Sequence, residues 1–334
     1  MGDSSEGDVL RVARELVLAA CCGVVDEVLS GGLSAHVLDE DGEHREYVFD
    51  AAAEERLTGV LMELGRRREI GIDILAESTV ISLPGEPVLV GLIDPIDGSW
   101  GLSYAAGAWP EYRRVVGRGP NSSTVISLGL LPSSGDHNPT LDSLNLFSCY
   151  DHGSRVEYLA LRGADGLLRL ERPRWLAKMR HPPIELDSRG KFWIGGRPPI
   201  AVLGFQNFRG WQNSTTVAKL IGLLSEANFE VAVEETGSTS IALLKNVASA
   251  GLYVDIRLEL ARAGEGRGNV LKLYDVSSLP AIYSTVGLKM CGPRGEDLMK
   301  LPLWDEFHKP TPLSLVAGPP ALVEFCLDVL RDLL

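Results

Sequence analysis

Positive charge is scarce in this chain: 32 Lys and Arg stand against 45 Asp and Glu, a formal net charge of −13. Without a cationic surplus to displace counter-ions, a nucleic-acid backbone is a poor partner. Long apolar runs are missing too, since no stretch approaches the roughly 20 residues of a membrane span. The opening "MGDSSEGDVLRVARELVLAACCGVVDEVL" is not a secretion signal, because it starts with acids and Arg11, Arg14 and Glu15 break its apolar part. A myristoylation pattern is absent as well, with Glu6 where Ser or Thr is needed. The five cysteines (Cys21, Cys22, Cys149, Cys291 and Cys326) are odd in number, scattered and without a C-x-x-C pair. A disulfide framework or zinc site is therefore not expected; buried thiols in a reducing cytoplasm are. The six histidines, His36, His137 and His152 among them, form no cluster.

What is present is an ordinary globular composition, 45% hydrophobic and 23% charged over 334 residues, enough for one large or two medium domains. The N-terminal segment reads as an amphipathic helix with Leu10, Ala13, Val17 and Cys21 on one stripe. A hairpin with an Asp-Gly turn follows, then a helix over about residues 51–66 with Leu57, Val60, Leu61 and Leu64 at helical spacing. "DILAESTVIS" and "PVLVGLI" read as strands, the second too apolar to have a wet face. Strands and loops continue to about residue 170, and a proline-dense crossing over 182–199 suggests a boundary. Beyond it, strand and helix patterns alternate as α/β units do. The expected architecture is an α+β domain over 1–190 carrying the acidic motifs, followed by an α/β domain over 191–334.

The stretch "VLVGLIDPIDGSWGLSY" ends an apolar strand on Asp94 and Asp97. As a local pattern "DPIDGS" is a turn, each residue being favoured there for backbone reasons. Three details favour chemistry instead. Pro95 stiffens the segment, a buried strand supplies a rigid support, and Gly98-Ser99 opens a helix whose unpaired amides suit an anion. Carboxylates for a cation beside amides for an anion describe a phosphate-plus-magnesium site. An EF-hand fails, because Pro95 and Ile96 interrupt its alternating oxygen ligands. Further ligands would have to come from Glu77, at the end of another apolar run, from Asp275 in "LKLYDVSS", or from Asp50 in "EYVFDAAA". By local pattern Glu77 reads as a solvated strand end, and Asp275 and Asp50 as helix N-caps.

Together, "LAES", "DPIDGS", "ETGSTSIALLKNVASAGLYVDIR" and "LYDVSS", in that order, resemble the signatures of the inositol monophosphatase superfamily. That superfamily comprises magnesium-dependent, lithium-sensitive phosphomonoesterases and includes archaeal-type fructose-1,6-bisphosphatases. The resemblance runs from about Asp50 to Leu288 and implies a layered α/β/α/β/α sandwich. It implies that Glu77, Asp94, the carbonyl of Ile96, Asp97 and Asp275 bind two magnesium ions, with Asp50 beside a weaker third. It places Ser99 where relatives usually have Thr, orienting the attacking water with Glu77, and the amides of Gly98 and Ser99 on the phosphate. Gly237, Ser238 and Thr239 fall where relatives contact substrate, and Asp255 and Arg257 match the sugar side. A homodimer or homotetramer is implied in the same way.

Some positions depart from the pattern. "AES" replaces Glu-Glu-Ser, Tyr274 replaces Trp, and "EYVF" lacks the Lys or Thr that often precedes the Asp50 position. Arg113, Arg114 and Arg118, in a longer segment after the second motif, are candidates for a second phosphate of the substrate or a solvated basic loop. The expected activity is hydrolysis of a small sugar or polyol phosphate, fructose 1,6-bisphosphate or inositol monophosphate. An adenosine 3′,5′-bisphosphate nucleotidase and a non-catalytic regulator that binds metal and sugar phosphate are the alternatives. Two ions about 3.5–4 Å apart suffice for in-line attack, so no histidine base is required.

Overall fold

The stripe of Leu10, Ala13, Val17 and Cys21 folds as a 28-residue helix, Asp3–Ser30, with all four side chains buried. The computed structural model describes residues 3–35, 37–40, 45–108, 120–132, 138–206, 208–235 and 238–334. Helix Val48–Arg68 packs beside the first. It ends on Glu69 in the left-handed conformation (φ 54°), after three arginines that suit the negative end of the helix dipole.

Both helices cover one face of a seven-stranded sheet. Its order is Val80–Leu83, Gly71–Ala76, Val88–Asp97, Ser123–Leu131, Leu146–Asp151, Val156–Arg162 and Leu168–Arg172. Only Gly71–Ala76 and Val88–Asp97 pair in parallel; every other ladder is antiparallel. Strand Val88–Asp97 is apolar on both faces because both are covered. Leu89 and Ile93 pack toward the two N-terminal helices, while Val90 and Leu92 pack toward the middle of the molecule.

The middle layer consists of helices Thr239–Ser249, Leu273–Val276 and Leu279–Thr285, the first and last of which also contact a second sheet. That five-stranded sheet runs Glu230–Glu234, Ile200–Gly204, Leu252–Asp255, Leu315–Gly318, Lys289–Cys291. Its first three strands are parallel and the last two antiparallel. Helices Thr215–Glu226 and Pro320–Leu333 close the far face through Leu220, Leu224, Leu322 and Cys326. Serine hydroxyls start two helices: Ser214 accepts from Val217 N and Ser238 from Ile241 N. The architecture is α/β/α/β/α, an α+β first half followed by an α/β second half. All five cysteines are unpaired, four of them buried. No helix among the described residues is long and apolar enough to cross a membrane.

Candidate active site

Two parallel strands deliver the first carboxylates. Ala76 pairs with Ile93, so Glu77 and Asp94 emerge together at the same sheet end. Asp97 would be lost to this site in a regular strand, because residues three apart face opposite ways. A bulge prevents that. Asp94 opposes Val125 and Asp97 opposes Ser123, so two residues, Pro95 and Ile96, stand against Thr124 alone. Ile96 then turns toward Val24, Val25, Tyr47 and Phe49, and Asp97 turns to the middle layer. Thr124 secures the bulge by donating its hydroxyl to Pro95 O at 2.8 Å. Asp97 Oδ2 accepts from Ser240 N at 2.9 Å and from the Ser238 and Ser240 hydroxyls, at the start of helix Thr239–Ser249. Its other oxygen is the one through which it can meet a cation.

Asp50 and Asp275 share a geometry. Their local patterns read as N-caps; instead each sits in the first turn of its helix and accepts the N-cap amide. Tyr47 N donates to Asp50 Oδ2 at 3.1 Å and Lys272 N to Asp275 Oδ2 at 2.8 Å. The second oxygen of Asp50 accepts the Ser99 hydroxyl at 2.7 Å, while Ile96 O lies 2.9 Å from the same hydroxyl. Gly98, just before Ser99, has φ 88°, and a β-carbon there would lie 2.6 Å from Asn121 O and 2.9 Å from Ser238 Cβ. Only glycine meets both demands.

Glu77, Asp94, Ile96, Asp97, Gly98, Ser99, Thr239, Arg257 and Asp275 line one cavity of about 510 Å³. Burial, then repulsion from Asp97, Glu77, Asp275 and Asp50, holds Asp94 well above the usual carboxylate range. Burial and the charges of Asp50 and Asp275 do the same to Glu77. Burial and Asp97 push Asp275 up to about 7. Asp94 Oδ1 is buried and accepts no hydrogen bond. Among the described residues no three acid, histidine or cysteine side chains close on a single point, although four acids line the one cavity. A wall of mutually raised carboxylates with an orphaned oxygen fits divalent cations in charge and donor type.

No family model and no curated protein matches the chain. Solved structures do. An inositol monophosphatase from Anabaena aligns over 97% of both chains at 16% identity, with a TM-score of 0.51. Extragenic suppressor protein SuhB from Bartonella henselae aligns over 96% of this chain and 99% of its own, at 13% identity and a TM-score of 0.56. The chain has the inositol monophosphatase fold. A Pyrococcus horikoshii protein with similarities to inositol-1 monophosphatase aligns over 99% of both chains, at 12% identity and a TM-score of 0.58. At such identities the likeness is one of fold.

Within that fold, Asp50, Ser238 and Asp255 lie behind the cavity lining rather than in it. Ser238 holds Asp97. Asp255 is fully buried and paired with Arg257, which takes both its oxygens through Nε and Nη2. Arg257 in turn donates Nη1 to Gln206 O at 2.6 Å and to Asn269 O at 3.2 Å. Strand Leu252–Asp255 stops at Asp255, and Arg257 begins the short helix Arg257–Arg262. Gly237 and Arg113, Arg114 and Arg118 lie outside the described residues.

Sequence patterns passed over several groups. Glu54 accepts from Ser78 N at 2.7 Å and from the hydroxyls of Ser78 and Thr79, anchoring the turn that follows Glu77. Lys272 lines the cavity beside Tyr274, its Nζ 5.7 Å from the ring centroid. Arg209 and Arg267 line the same cavity. Each arginine precedes a glycine in a loop-like stretch, "FRGW" and "GRGN", the one local signal available.

Proposed function

We propose that the chain is a magnesium-dependent phosphomonoesterase acting on a sugar or polyol phosphate, with fructose 1,6-bisphosphate and inositol monophosphate the foremost candidates. The observation that carries this reading is Asp94 Oδ1, buried and unpartnered beside three further carboxylates, Glu77, Asp97 and Asp275, that line a cavity also lined by arginines. Such a cavity suits an anion bridged to the acids by cations. Glu77, Asp94, the carbonyl of Ile96, Asp97 and Asp275 would hold two magnesium ions, with Asp50 near a third. Bound there, the metal supplies an acidified water and charge neutralisation for the departing alkoxide.

The chain's own groups do the positioning. With its proton directed at Asp50, Ser99 Oγ presents a lone pair that accepts a hydrogen bond from water and aims it at phosphorus. The amides of Gly98 and Ser99, at the start of helix Ser99–Ala108, face phosphate oxygens. Thr239 and Arg257 also line the cavity and would contact the alcohol portion of the ester. Asp50, Asp97 and Asp275, each held by a backbone amide, need little rearrangement, which is how such sites lower a barrier.

One observation favours the nucleotidase alternative. Trp100 lines the cavity, stays 39% exposed and stacks on Tyr104 with ring centroids 5.9 Å apart, a platform on which a base can lie. Phosphate release from fructose 1,6-bisphosphate, inositol monophosphate and adenosine 3′,5′-bisphosphate, with magnesium and with EDTA, separates the readings. Magnesium-dependent turnover of a sugar or polyol ester supports the first, and selective turnover of the nucleotide supports the second. Failure on all three, with tight binding of one, leaves the non-catalytic regulator.

A further inference from the structure

The bulge between Asp94 and Asp97 turns on the Pro95–Ile96 peptide. The proline ring fixes φ at Pro95, but ψ stays free, and ψ is the angle that aims this peptide. A bulge also takes its extra residue out of the ladder. A side chain supplies the hold instead. Thr124, fully buried on the neighbouring strand, donates its hydroxyl to Pro95 O at 2.8 Å, and His152 Nε2 lies 3.0 Å from the same hydroxyl. Which atoms can donate settles the proton positions. A carbonyl oxygen only accepts, so the single Thr124 proton points at Pro95 O and the hydroxyl lone pairs are left for the imidazole. Burial keeps the His152 ring neutral, its pKa pushed down to about 3. A neutral imidazole carries one N–H, here at Nε2, and leaves Nδ1 bare. Nδ1 faces Cys22 Sγ at 4.0 Å, from which it accepts. The row therefore runs one way, from Cys22 through His152 and Thr124 to Pro95 O. His152 is anchored in turn: its backbone N donates to Ser122 O at 3.1 Å, and Tyr150 meets the ring edge-on with centroids 5.3 Å apart. Neither Thr124 nor His152 lines the cavity.

We propose that His152 and Thr124 are positioning residues for the metal site: by holding Pro95 O from behind, they aim the Ile96 carbonyl and the Asp97 carboxylate and so set the affinity of the cavity for divalent cations. The pinned peptide lies between the two aspartates, and Ile96 O, the next carbonyl along, is 2.9 Å from the Ser99 hydroxyl. Rotation at Pro95 would move both that oxygen and Asp97, because each follows the peptide in the chain. The imidazole N–H does the orienting, since it occupies the Thr124 lone pairs and leaves the hydroxyl proton no better acceptor than Pro95 O. This inference rests on the metal site of the phosphatase reading, and not on which ester is hydrolysed.

Titration of the full chain with manganese, followed by loss of the free-ion electron paramagnetic resonance signal, reads cation affinity without substrate. Thr124→Val should weaken binding roughly 10- to 100-fold, the usual cost of removing a group that orients metal ligands. Thr124→Ser, which keeps the hydroxyl, should restore most of it. His152→Phe should weaken binding in the same direction, and His152→Gln, which still donates, should bind as wild type does. The magnesium concentration for half-maximal phosphate release should rise by the same factor as the manganese dissociation constant. Melting in EDTA reads any purely structural contribution separately. A folded Thr124→Val that melts lower in EDTA yet binds manganese as wild type does overturns the proposal and keeps the phosphatase. A wild type that binds manganese but releases no phosphate, with binding weakened in Thr124→Val, overturns the phosphatase and keeps the proposal. A wild type that binds no manganese overturns the proposal. Where circular dichroism shows Thr124→Val unfolded, equal manganese affinities for His152→Phe and His152→Gln overturn it as well.

Discussion

The Ser99 hydroxyl lies 2.7 Å from Asp50 Oδ1, a hydrogen bond that joins the turn after one strand to the first turn of a helix 49 residues earlier. The same proton has a second, longer option at Ile96 O, 2.9 Å away. In the shorter arrangement the serine is a donor to the carboxylate and an acceptor toward the cavity. Ser99→Ala is expected to lower kcat on the order of 10²-fold with KM nearly unchanged, the scale of a lost proton-handling group. Ser99→Thr, which keeps the hydroxyl, should retain activity. Steady-state kinetics of the two variants decide it; a near-normal kcat for Ser99→Ala removes the residue from the reaction.

Asp94 gives a prediction with opposite signs for stability and activity. Its carboxyl is held above the usual range by burial and by Asp97, Glu77, Asp275 and Asp50. From the unfolded value of about 3.9 upward, the native state keeps a proton that the unfolded chain has shed, so stability falls as pH rises through that window. In EDTA near neutral pH, Asp94→Asn should therefore melt higher than wild type, by the equivalent of about 1–3 kcal/mol. Magnesium should raise the melting temperature of the wild type and much less that of the variant, and phosphate release should be abolished. A variant that melts lower in EDTA would contradict the electrostatic account.

The buried Asp255–Arg257 pair is a stability element before it is anything else. Removing one partner leaves the other charge without compensation, so Asp255→Ala should cost about 3–5 kcal/mol in denaturant unfolding. The loss should exceed that of Glu265→Ala, whose half-buried carboxylate is held below the usual range chiefly by the Ser214 hydroxyl. Comparable losses for the two would show that the segments at Gln206 and Asn269 are not pinned through Arg257.

His152 makes acid stability specific. Burial pushes its imidazole from 6.5 down to about 3, with Nε2 3.0 Å from the Thr124 hydroxyl behind the bulge. Between those values the unfolded chain binds a proton that the native state refuses, so stability is lost as pH falls below 6.5, by up to about 1.4 kcal/mol per pH unit. His152→Gln should flatten the difference between pH 6.5 and pH 4.5 by roughly that slope. The comparison is of wild type with variant, so carboxylate contributions of the opposite sign cancel. An unchanged pH dependence would mean that His152 is protonated in the native state.

The strands and helices were legible in the sequence because burial writes itself as periodicity. The stripe from Leu10 to Cys21, the two-faced "VLVGLI" run and the alternation after residue 199 each became the element their spacing implied. Helix Val48–Arg68 starts before the expected residue 51, since Asp50 caps from inside the first turn rather than from its edge. Glu77, Asp94, Asp97 and Asp275 each end an apolar run, but locally they read as a strand end, a turn and an N-cap, and only the combined motifs set them together as candidates. What sequence spacing could not decide is that they face one cavity. Asp94 and Asp97, three apart, would point to opposite faces of a regular strand, and only the bulge against Thr124 turns both inward. The parallel register of Ala76 with Ile93 sets Glu77 level with Asp94, and middle-layer packing brings in Asp275. Arg209 and Arg267 carried no local signal beyond the glycine that follows each. Cross-strand register is a property of the folded sheet, set by which segments hydrogen-bond, and it alone places those two positive charges opposite each other.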